Sequence, residues 1–288
     1  MCSSKGFVIL RIQTCSSGLR HSHLMILLTI ILLSLCLIGC GTLENGRGWG
    51  QDINYPVDLN RISRAAHNAF FDLQTLIPAG GALLFAIDNF DERASDWATR
   101  HSPIFGSEEG ARNAADYLGI ALQVEVLATA LATPSGDEPK EWVSSKSKGL
   151  AVELAALGTT EGATELLKAA AKRPRPNGES TNSFPSSHSS WAFSCATLAN
   201  RNLDSIDLPR NLKRSMQIGN LCLASGVAWA RVEARAHYPS DVLAGAALGH
   251  FMTAFIHDAF LDLPEDGSVG FAVFPVKGGA GIQLAVPF

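Results

Sequence analysis

The sequence lacks an excess of basic residues. Its 23 Lys and Arg are outnumbered by 27 Asp and Glu, which gives a formal net charge of −4. Domains that bind nucleic acid usually carry concentrated positive charge, so we expect no nucleic-acid partner. The sequence also has no internal repeat and no low-complexity tract. Its 288 residues, 47% of them hydrophobic, suffice for one sizeable domain or two small ones.

Metal-ligand patterns are absent as well. The four histidines that follow residue 40 and lie outside the motifs described below do not combine with nearby acids at the spacing of a metal site. We therefore expect no metal ion and no other cofactor. These four histidines are interpreted as structural or surface residues: His67, His101, His250 and His257.

Long apolar runs are scarce too. Leu24–Ile38 is apolar except for two hydroxyl residues, but its 15 residues are few for a membrane-spanning helix and suit the core of a signal peptide. The ending Leu37-Ile38-Gly39-Cys40 resembles a bacterial lipobox, which implies that residues 1–39 are removed and that Cys40 is lipidated. Gly41 after the cysteine resembles lipoproteins sent to the outer membrane. We expect a periplasmic protein anchored there; an uncleaved membrane anchor is the alternative.

Few cysteines remain after that processing site. Of six cysteines, only Cys195 and Cys222 follow Cys40. In an oxidising compartment these two could form a disulfide. The alternative, which we favour, is that they are two small apolar residues on buried helices.

Most of the remaining chain has the apolar periodicity of helices. Residues 40–56 are rich in Gly and Asn and are interpreted as a tether. None of the helical segments is a confident membrane span, because Leu118–Thr133 contains Glu125 and Leu243–Phe260 contains acidic and histidine residues. They fit buried helices of a globular bundle better. The predicted helices are Asp58–Ile77, Asp91–His101, Glu108–Ala132, Glu141–Lys172, Ser189–Leu203, Leu208–Glu233 and Ser240–Leu261.

The pattern changes after Leu263. Two β-rich runs, Val269–Val276 and Gly281–Phe288, flank a Gly-rich segment, which is typical of a β-hairpin. The predicted organisation is therefore a signal peptide at 1–39, a tether at 40–56, a helical domain at 57–263 and a C-terminal hairpin at 264–288.

Three clusters of phosphate-handling residues lie between Lys168 and Asp241. Phosphoryl transfer needs fixed positive charge around the phosphate oxygens, a nucleophile and an acid for the leaving group. Arg matches pairs of phosphate oxygens with its planar fork, whereas Lys is a point charge. Histidine can act as a nucleophile or as an acid near neutral pH. The clusters are Lys168 with Arg175-Pro176, Pro185-Ser186-Ser187-His188, and Arg231 with His237 and Asp241.

Each of these residues also has an ordinary structural interpretation. A lone Lys or Arg is usually a solvated surface residue, and a Pro-Ser-Ser run is usually a turn. The order and spacing of all three clusters together favour the functional interpretation. Asp241 follows His237 by four residues, so on a helical turn its carboxylate could hold one ring nitrogen and leave the other free to attack.

The three clusters resemble the motifs of the type 2 phosphatidic acid phosphatase superfamily, which includes bacterial class A acid phosphatases and vanadium haloperoxidases. The family motifs are Lys, six residues, Arg-Pro; Pro-Ser-Gly-His; and Ser-Arg, five residues, His, three residues, Asp. Here Ser187 stands at the glycine position and Ala230 at the first serine position of the third motif. The resemblance is specific over Lys168–Gly249, and it implies an all-α helical bundle.

The resemblance also implies the roles of the residues. His237 would be the nucleophile that forms a phosphohistidine, with Asp241 orienting it, and His188 would protonate the leaving alcohol and then activate water. Arg173-Pro174 and Arg175-Pro176 are consecutive Arg-Pro pairs, but only Arg175 has the family's spacing to Lys168. We expect Arg173 to be flanking positive charge. The implied phosphate ligands are Lys168, Arg175, Ser186, Ser187 and Arg231.

These residues predict a metal-independent phosphatase that acts on phosphomonoesters or on lipid or prenyl (di)phosphates. The membrane partner would be reached through the lipid anchor, and vanadate would act as a phosphate mimic that inhibits the enzyme. Two alternatives stay open: a vanadate-dependent haloperoxidase, and a non-catalytic interaction module of the cell envelope.

Overall fold

The computed structural model describes residues 39–51, 53 and 58–261, and the backbone of two short segments, 270–276 and 279–285. The described part of the chain is mainly helical, and the predicted all-α bundle is confirmed. Its helices are α1 (Leu59–Phe71), α2 (Leu73–Phe85), α3 (Phe90–His101), α4 (Glu108–Ala132), α5 (Pro139–Ala171), α6 (Ser187–Ser205), α7 (Arg210–Glu233) and α8 (Pro239–Leu261).

The C-terminal backbone forms two antiparallel strands, β1 (Gly270–Val276) and β2 (Gly279–Ala285). Their register pairs Gly270 with Ala285 and Val276 with Gly279. The rest of the predicted hairpin segment, residues 264–269, 277–278 and 286–288, lies outside the described residues, as do residues 262–263 of the predicted helical domain and the predicted signal-peptide residues 1–38.

Helices α6 and α8 form the centre of the bundle. α6 packs against α4, α5, α7 and α8, and α8 packs against α1, α2, α5 and α6. The two central helices approach closely because α8 carries glycines at the contact. A Cβ on Gly245 would lie 2.6 Å from the Ser186 carbonyl oxygen, and one on Gly249 would collide with the Ser190 backbone. This contact places the start of α6 directly against the start of α8.

The first predicted helix is divided in the structure. Asp72 ends α1 and caps α2, where its carboxylate accepts a hydrogen bond from the Gln74 N–H at 2.8 Å. α2 then continues past Pro78 to Phe85. A capping aspartate inside an apolar period gives little sequence signal. α4 also begins at a side-chain cap, since the Ser107 hydroxyl accepts from the Gly110 N–H at 3.0 Å.

The segment after Cys40 belongs to the folded domain and is not a free tether over its described residues. Gly41 pairs with Gly136 through backbone hydrogen bonds, and the Trp49 N–H donates to the Pro134 carbonyl at 2.7 Å. The Trp49 ring is fully buried against Gly149 of α5. The Gly and Asn content of the segment predicted a tether and did not indicate that Trp49 would pack it against the helical domain.

The expectation that α4 is a buried helix is wrong for one of its faces. Only 28% of its most apolar window is buried, and Tyr117, Ile120, Val124 and Leu127 are exposed. Among the described helices, α4 alone is long and apolar enough to cross a membrane by length and composition. α2 and α3 pass the same test together but meet at 96°.

The two cysteines of the domain are unpaired, but the favoured interpretation as buried apolar residues is confirmed for Cys195 and wrong for Cys222. Cys195 is buried in the α4–α6–α7 core and Cys222 is exposed on α7. Burial and the nearby Glu153 raise the pKa of the Cys195 thiol to about 12, which keeps it protonated.

Glu153 makes the stability of the bundle depend on pH. Burial raises its pKa from 4.5 to about 7, although the Asn202 amide and Lys146 act in the opposite direction. The pKa of Glu153 is higher in the folded protein than in the unfolded chain, so the folded state is favoured when Glu153 is protonated. This contribution to the free energy of unfolding is fully present below pH 4.5 and is lost as pH rises through about 7. The loss amounts to about 3 kcal/mol in the free energy of unfolding.

We therefore expect Glu153→Gln to be less sensitive to this pH rise and more stable than the wild type at pH 8. Chemical denaturation at pH 5 and pH 8 measures the difference. Glu109→Gln, at an exposed position on α4, is the matched control and should follow the wild type. Equal pH dependence of all three proteins would contradict the protonation of Glu153.

Candidate active site

Four helix ends and the loops that adjoin them meet at one end of the bundle and carry the predicted catalytic and phosphate-binding residues. α5 and α7 end there, with Lys168 and Arg231 in their last turns, whereas α6 and α8 begin there. The start of a helix presents unpaired N–H groups and partial positive charge, which favour an anion. The site is therefore electropositive through both its side chains and its backbone.

The loops before α6 and α8 are locked to each other. The Ser186 N–H donates to the Asp241 carbonyl at 3.0 Å, and the Ser186 hydroxyl accepts from the Ser189 N–H at 3.4 Å as the cap of α6. The predicted phosphate ligand Ser186 is thus fully buried and starts the helix whose first-turn N–H groups lie at the site.

His237 is buried and held by one strong contact. Its Nδ1 lies 2.7 Å from the Ser183 carbonyl oxygen. A carbonyl oxygen only accepts, so Nδ1 carries the hydrogen and Nε2 keeps its lone pair. The loop before it is also fixed, because the Ala236 and His237 N–H groups both donate to the Arg231 carbonyl.

Asp241 does not hold the His237 ring directly, which corrects the expectation drawn from their spacing. Its nearest carboxylate oxygen is 3.9 Å from Nδ1 of His237. That oxygen accepts instead from the Ser183 hydroxyl at 2.5 Å and from the Tyr238 N–H at 2.9 Å. Asp241 therefore orients Ser183, and Ser183 orients the imidazole.

The His237 imidazole is kept neutral. Burial lowers its pKa well below 6.5, and the positive charges of Arg231 and Arg175 lower it further, against the Ser183 carbonyl. A neutral imidazole with a free Nε2 is the form of histidine that attacks an electrophile.

His188 lies at the more open side of the site. Its side chain is 44% exposed, and its Nε2 is 3.8 Å from a carboxylate oxygen of Asp116 on α4. Burial and Arg231 lower its pKa to about 4, and Asp116 opposes this shift. A bound phosphate dianion would offset the nearby cations and favour the protonated ring.

Arg175 and Arg231 supply buried positive charge without a full set of acceptors. Within the described part of the chain, the Nε atoms of both guanidinium groups are buried and have no hydrogen-bond partner. Burial and the charge of Arg175 lower the pKa of Arg231 to about 10. Two adjacent guanidinium groups that repel each other and retain unused donors are suited to a polyvalent oxyanion.

Lys168 is paired in this structure with two neighbours. Its Nζ donates to the Glu165 carboxylate at 2.7 Å and to the Ser187 hydroxyl. Ser187, which replaces the family's glycine, thus adds a hydroxyl beside the lysine. Glu165 was not identified from the sequence, because an acid three residues before a lysine is a common surface pair on helices.

Arg173 is not a free positive charge beside the site, so the expectation that it only flanks the phosphate ligands is wrong. Its Nη1 lies 2.7 Å from Asp241 and its Nη2 lies 2.7 Å from Asp91 of α3. The guanidinium carbon also lies 4.2 Å from the centre of the Tyr238 ring. Arg173 therefore forms ion pairs with protein carboxylates. The positive charge of Arg175 instead acts on His237 and His188, whose pKa values it lowers.

No group of three or more His, Cys, Asp or Glu that could hold a metal ion occurs among the residues that the structure describes. The arrangement thus brings together a neutral histidine whose Nε2 carries no hydrogen, a second histidine and three cations.

Comparison with known proteins gives three matches. The family model described as PAP2 superfamily matches residues 149–264. A lipid A 1-phosphatase of Porphyromonas gingivalis is 38% identical over 79 residues, which cover 27% of this chain and 16% of that protein. The chain therefore matches only about a sixth of the length of this curated relative. The crystal structure of a transmembrane PAP2-type phosphatidylglycerolphosphate phosphatase from Bacillus subtilis has a TM-score of 0.49 and 23% identity, and covers 67% of this chain and 94% of that one.

Proposed function

We propose that this chain, whose residues 149–264 match the PAP2 superfamily model, hydrolyses phosphate monoesters of lipids through a phosphohistidine on His237. The observation that carries the proposal is the neutral, buried His237 beside two guanidinium groups with unused buried donors. Phosphoryl transfer depends mainly on positioning and on charge stabilisation of this kind. The names of the two matched phosphatases agree with a lipid phosphate as substrate.

The first step transfers the phosphoryl group to the protein. Arg175, Arg231 and Lys168 bind the non-bridging oxygens, so Lys168 exchanges Glu165 for the substrate. The Nε2 lone pair of His237 forms a bond to phosphorus while the bond from phosphorus to the ester oxygen breaks. Protonated His188 donates its proton to that oxygen, and the alcohol leaves.

The second step returns the protein to its starting state. Neutral His188 takes a proton from water, and the resulting hydroxide oxygen bonds to phosphorus as the phosphorus–Nε2 bond breaks. Hydrogen phosphate leaves, and His237 is again neutral with its hydrogen on Nδ1. The Ser183 carbonyl stabilises the positive ring of the phosphohistidine throughout, with Asp241 behind it at 3.9 Å from Nδ1.

The function test is a substrate panel on the purified chain. We expect phosphate release from detergent-dispersed phosphatidic acid, phosphatidylglycerol phosphate or lipid A, and from p-nitrophenyl phosphate, with unchanged rates in EDTA. Vanadate should inhibit competitively. Halide oxidation with vanadate and peroxide would instead indicate a haloperoxidase. An absence of turnover with every ester would favour a non-catalytic module, and loss of activity in EDTA would contradict the metal-independent mechanism.

Lipidation of Cys40 is part of the proposal for location in the cell envelope. Labelled palmitate should enter the wild type and Cys222→Ala but not Cys40→Ala, because only Cys40 follows the lipobox-like sequence. Cys222 is the matched control because it too is exposed. Equal labelling of all three proteins would remove the lipoprotein interpretation.

The position of this anchor bears on substrate access. Gly41, the residue after Cys40, pairs with Gly136 through backbone hydrogen bonds, just before α5 begins at Pro139. Lys168 lies near the other end of α5, about 44 Å from Pro139 along the helix axis. A lipid on Cys40 is therefore at the end of the bundle opposite the candidate site. We expect Cys40→Ala to keep its activity on detergent-dispersed lipid phosphates.

A further inference from the structure

A buried carboxylate from outside the family-matched residues reaches the candidate site. Asp91 lies in the first turn of α3 and is 3% exposed. It accepts from the Ser240 N–H at 2.8 Å and from the Ser240 hydroxyl. It also accepts from Nη2 of Arg173 at 2.7 Å. Three donors thus converge on one aspartate that lies before residues 149–264 in the chain.

Arg173 connects Asp91 to the residues that hold the His237 ring. Its Nη1 donates to the Ser240 hydroxyl and to Asp241, both at 2.7 Å. Asp241 accepts from the Ser183 hydroxyl, and the Ser183 carbonyl holds Nδ1 of His237. The Ser183 N–H closes the chain by donating to the Arg173 carbonyl at 3.0 Å.

We infer that Asp91 is a positioning residue that keeps His237 in the Nδ1–H tautomer by fixing Arg173, Asp241 and Ser183. The inference rests on the proposed function, in which Nε2 of His237 attacks phosphorus. Arg173 sits between two carboxylates, so it cannot turn toward bound phosphate while both are present. The two consecutive Arg-Pro pairs thus have different roles. Arg175 binds substrate, and Arg173 holds the groups that position the nucleophile.

The physical consequence of losing Asp91 follows from the burial of the cluster. Removing one partner of a buried ion pair leaves an uncompensated charge, and the remaining groups rearrange to satisfy it. Arg173 would then pair with Asp241 alone, and Ser240 would lose its acceptor. Asp241 and Ser183 would no longer have one fixed orientation, and the imidazole would sample the Nε2–H tautomer, which cannot attack.

The test variant is Asp91→Asn, which keeps the shape but removes the charge. We expect kcat for p-nitrophenyl phosphate to fall roughly 10- to 100-fold, the effect of losing a charged hydrogen bond, with KM within about threefold. Nitrogen-15 NMR of His237 should show the Nδ1–H tautomer in the wild type and a mixture in the variant. Asp96→Asn on the exposed side of α3 is the matched control and should behave as wild type.

A second variant keeps the test decisive if Asp91→Asn does not fold. Ser240→Ala removes only the hydroxyl contacts and should shift the tautomer in the same direction by a smaller amount. Combining Ser240→Ala with Ser183→Ala should lower kcat no further than the worse single change, because both act on one chain of contacts.

A wild-type tautomer and wild-type kcat in folded Asp91→Asn and Ser240→Ala would overturn the inference. Reduced kcat with an unchanged tautomer would also overturn it, since that pattern indicates general loosening of the fold. The NMR measurement does not depend on turnover, so an inactive wild type would remove the proposed function while still deciding whether Asp91 orders the ring.

Discussion

His237→Ala is expected to lose roughly 10⁴- to 10⁶-fold in kcat, the range for removal of a nucleophile in covalent catalysis. His237 is the buried histidine whose Nδ1 is held by the Ser183 carbonyl and whose Nε2 carries no hydrogen, whereas His188 lies at the more open side of the site. The loss should not depend on the leaving group, because bond formation to phosphorus itself fails. Stopped-flow measurement of kcat tests this with two substrates, p-nitrophenyl phosphate and the phosphate ester of a poor alcohol leaving group.

His188→Ala is the comparison that separates the two histidines. A good leaving group needs little protonation, so this variant should still release p-nitrophenol in a burst. It should lose about 10²- to 10⁴-fold with an alkyl phosphate, the usual contribution of general acid catalysis. If His237→Ala showed the leaving-group dependence and His188→Ala did not, the two roles would have to be exchanged.

Arg175→Ala and Arg173→Ala should both be damaging, but in different ways. Losing the Arg175 contacts to phosphate should cost about 2–4 kcal/mol of transition-state stabilisation, or roughly 30- to 1000-fold in kcat/KM. The fold should tolerate it, because Arg175 is not tied to Asp91 or Asp241. Arg173→Ala leaves the buried carboxylates of Asp91 and Asp241 without their cation and should destabilise the fold by about 3 kcal/mol.

The measurements are kcat/KM with p-nitrophenyl phosphate and the free energy of unfolding for each variant. Inorganic phosphate should stabilise the wild type and Arg173→Lys, which retains a charge at that position, but not Arg175→Ala. If Arg173→Lys lost phosphate binding and Arg175→Ala kept it, Arg173 and not Arg175 would be the phosphate ligand.

The clustering of the candidate site residues could be predicted from the sequence because each of the three motifs has a fixed spacing next to a helix end. Lys168 and Arg175 are separated by one turn of helix and a short loop, and His188 follows a helix cap, so local geometry brings each cluster to one end of its helix. The close contact of α6 and α8 at Gly245 then brings the clusters together.

The contacts behind the site could not be predicted in this way. Asp91 meets Ser240 across 149 residues, and nothing in the sequence near either residue indicates the contact. The four-residue spacing of His237 and Asp241 suggested a direct hydrogen bond, but the Ser183 carbonyl occupies that position. Arg173 and Arg175 look equivalent as Arg-Pro pairs, and only the structure separates the one bound to carboxylates from the other.

The exposed face of α4 was missed for a related reason. Glu125 interrupts the apolar run and suggests a buried helix of a soluble bundle, yet the exposed Tyr117, Ile120 and Val124 form an apolar surface beside it. Burial raises the pKa of Glu125, in agreement with its partly enclosed position. Hydrophobic content along a helix does not reveal which of its faces meets other helices.

The most direct test of the account is to identify the residue that carries phosphate. Phosphorus-32-labelled substrate should be mixed with His188→Ala, quenched in base within the burst, and digested for peptide mapping. The account predicts an acid-labile, base-stable phosphohistidine on the peptide that contains His237, and no label on His237→Ala. Label on any other residue, or a fully active His237→Ala, would contradict the central claim.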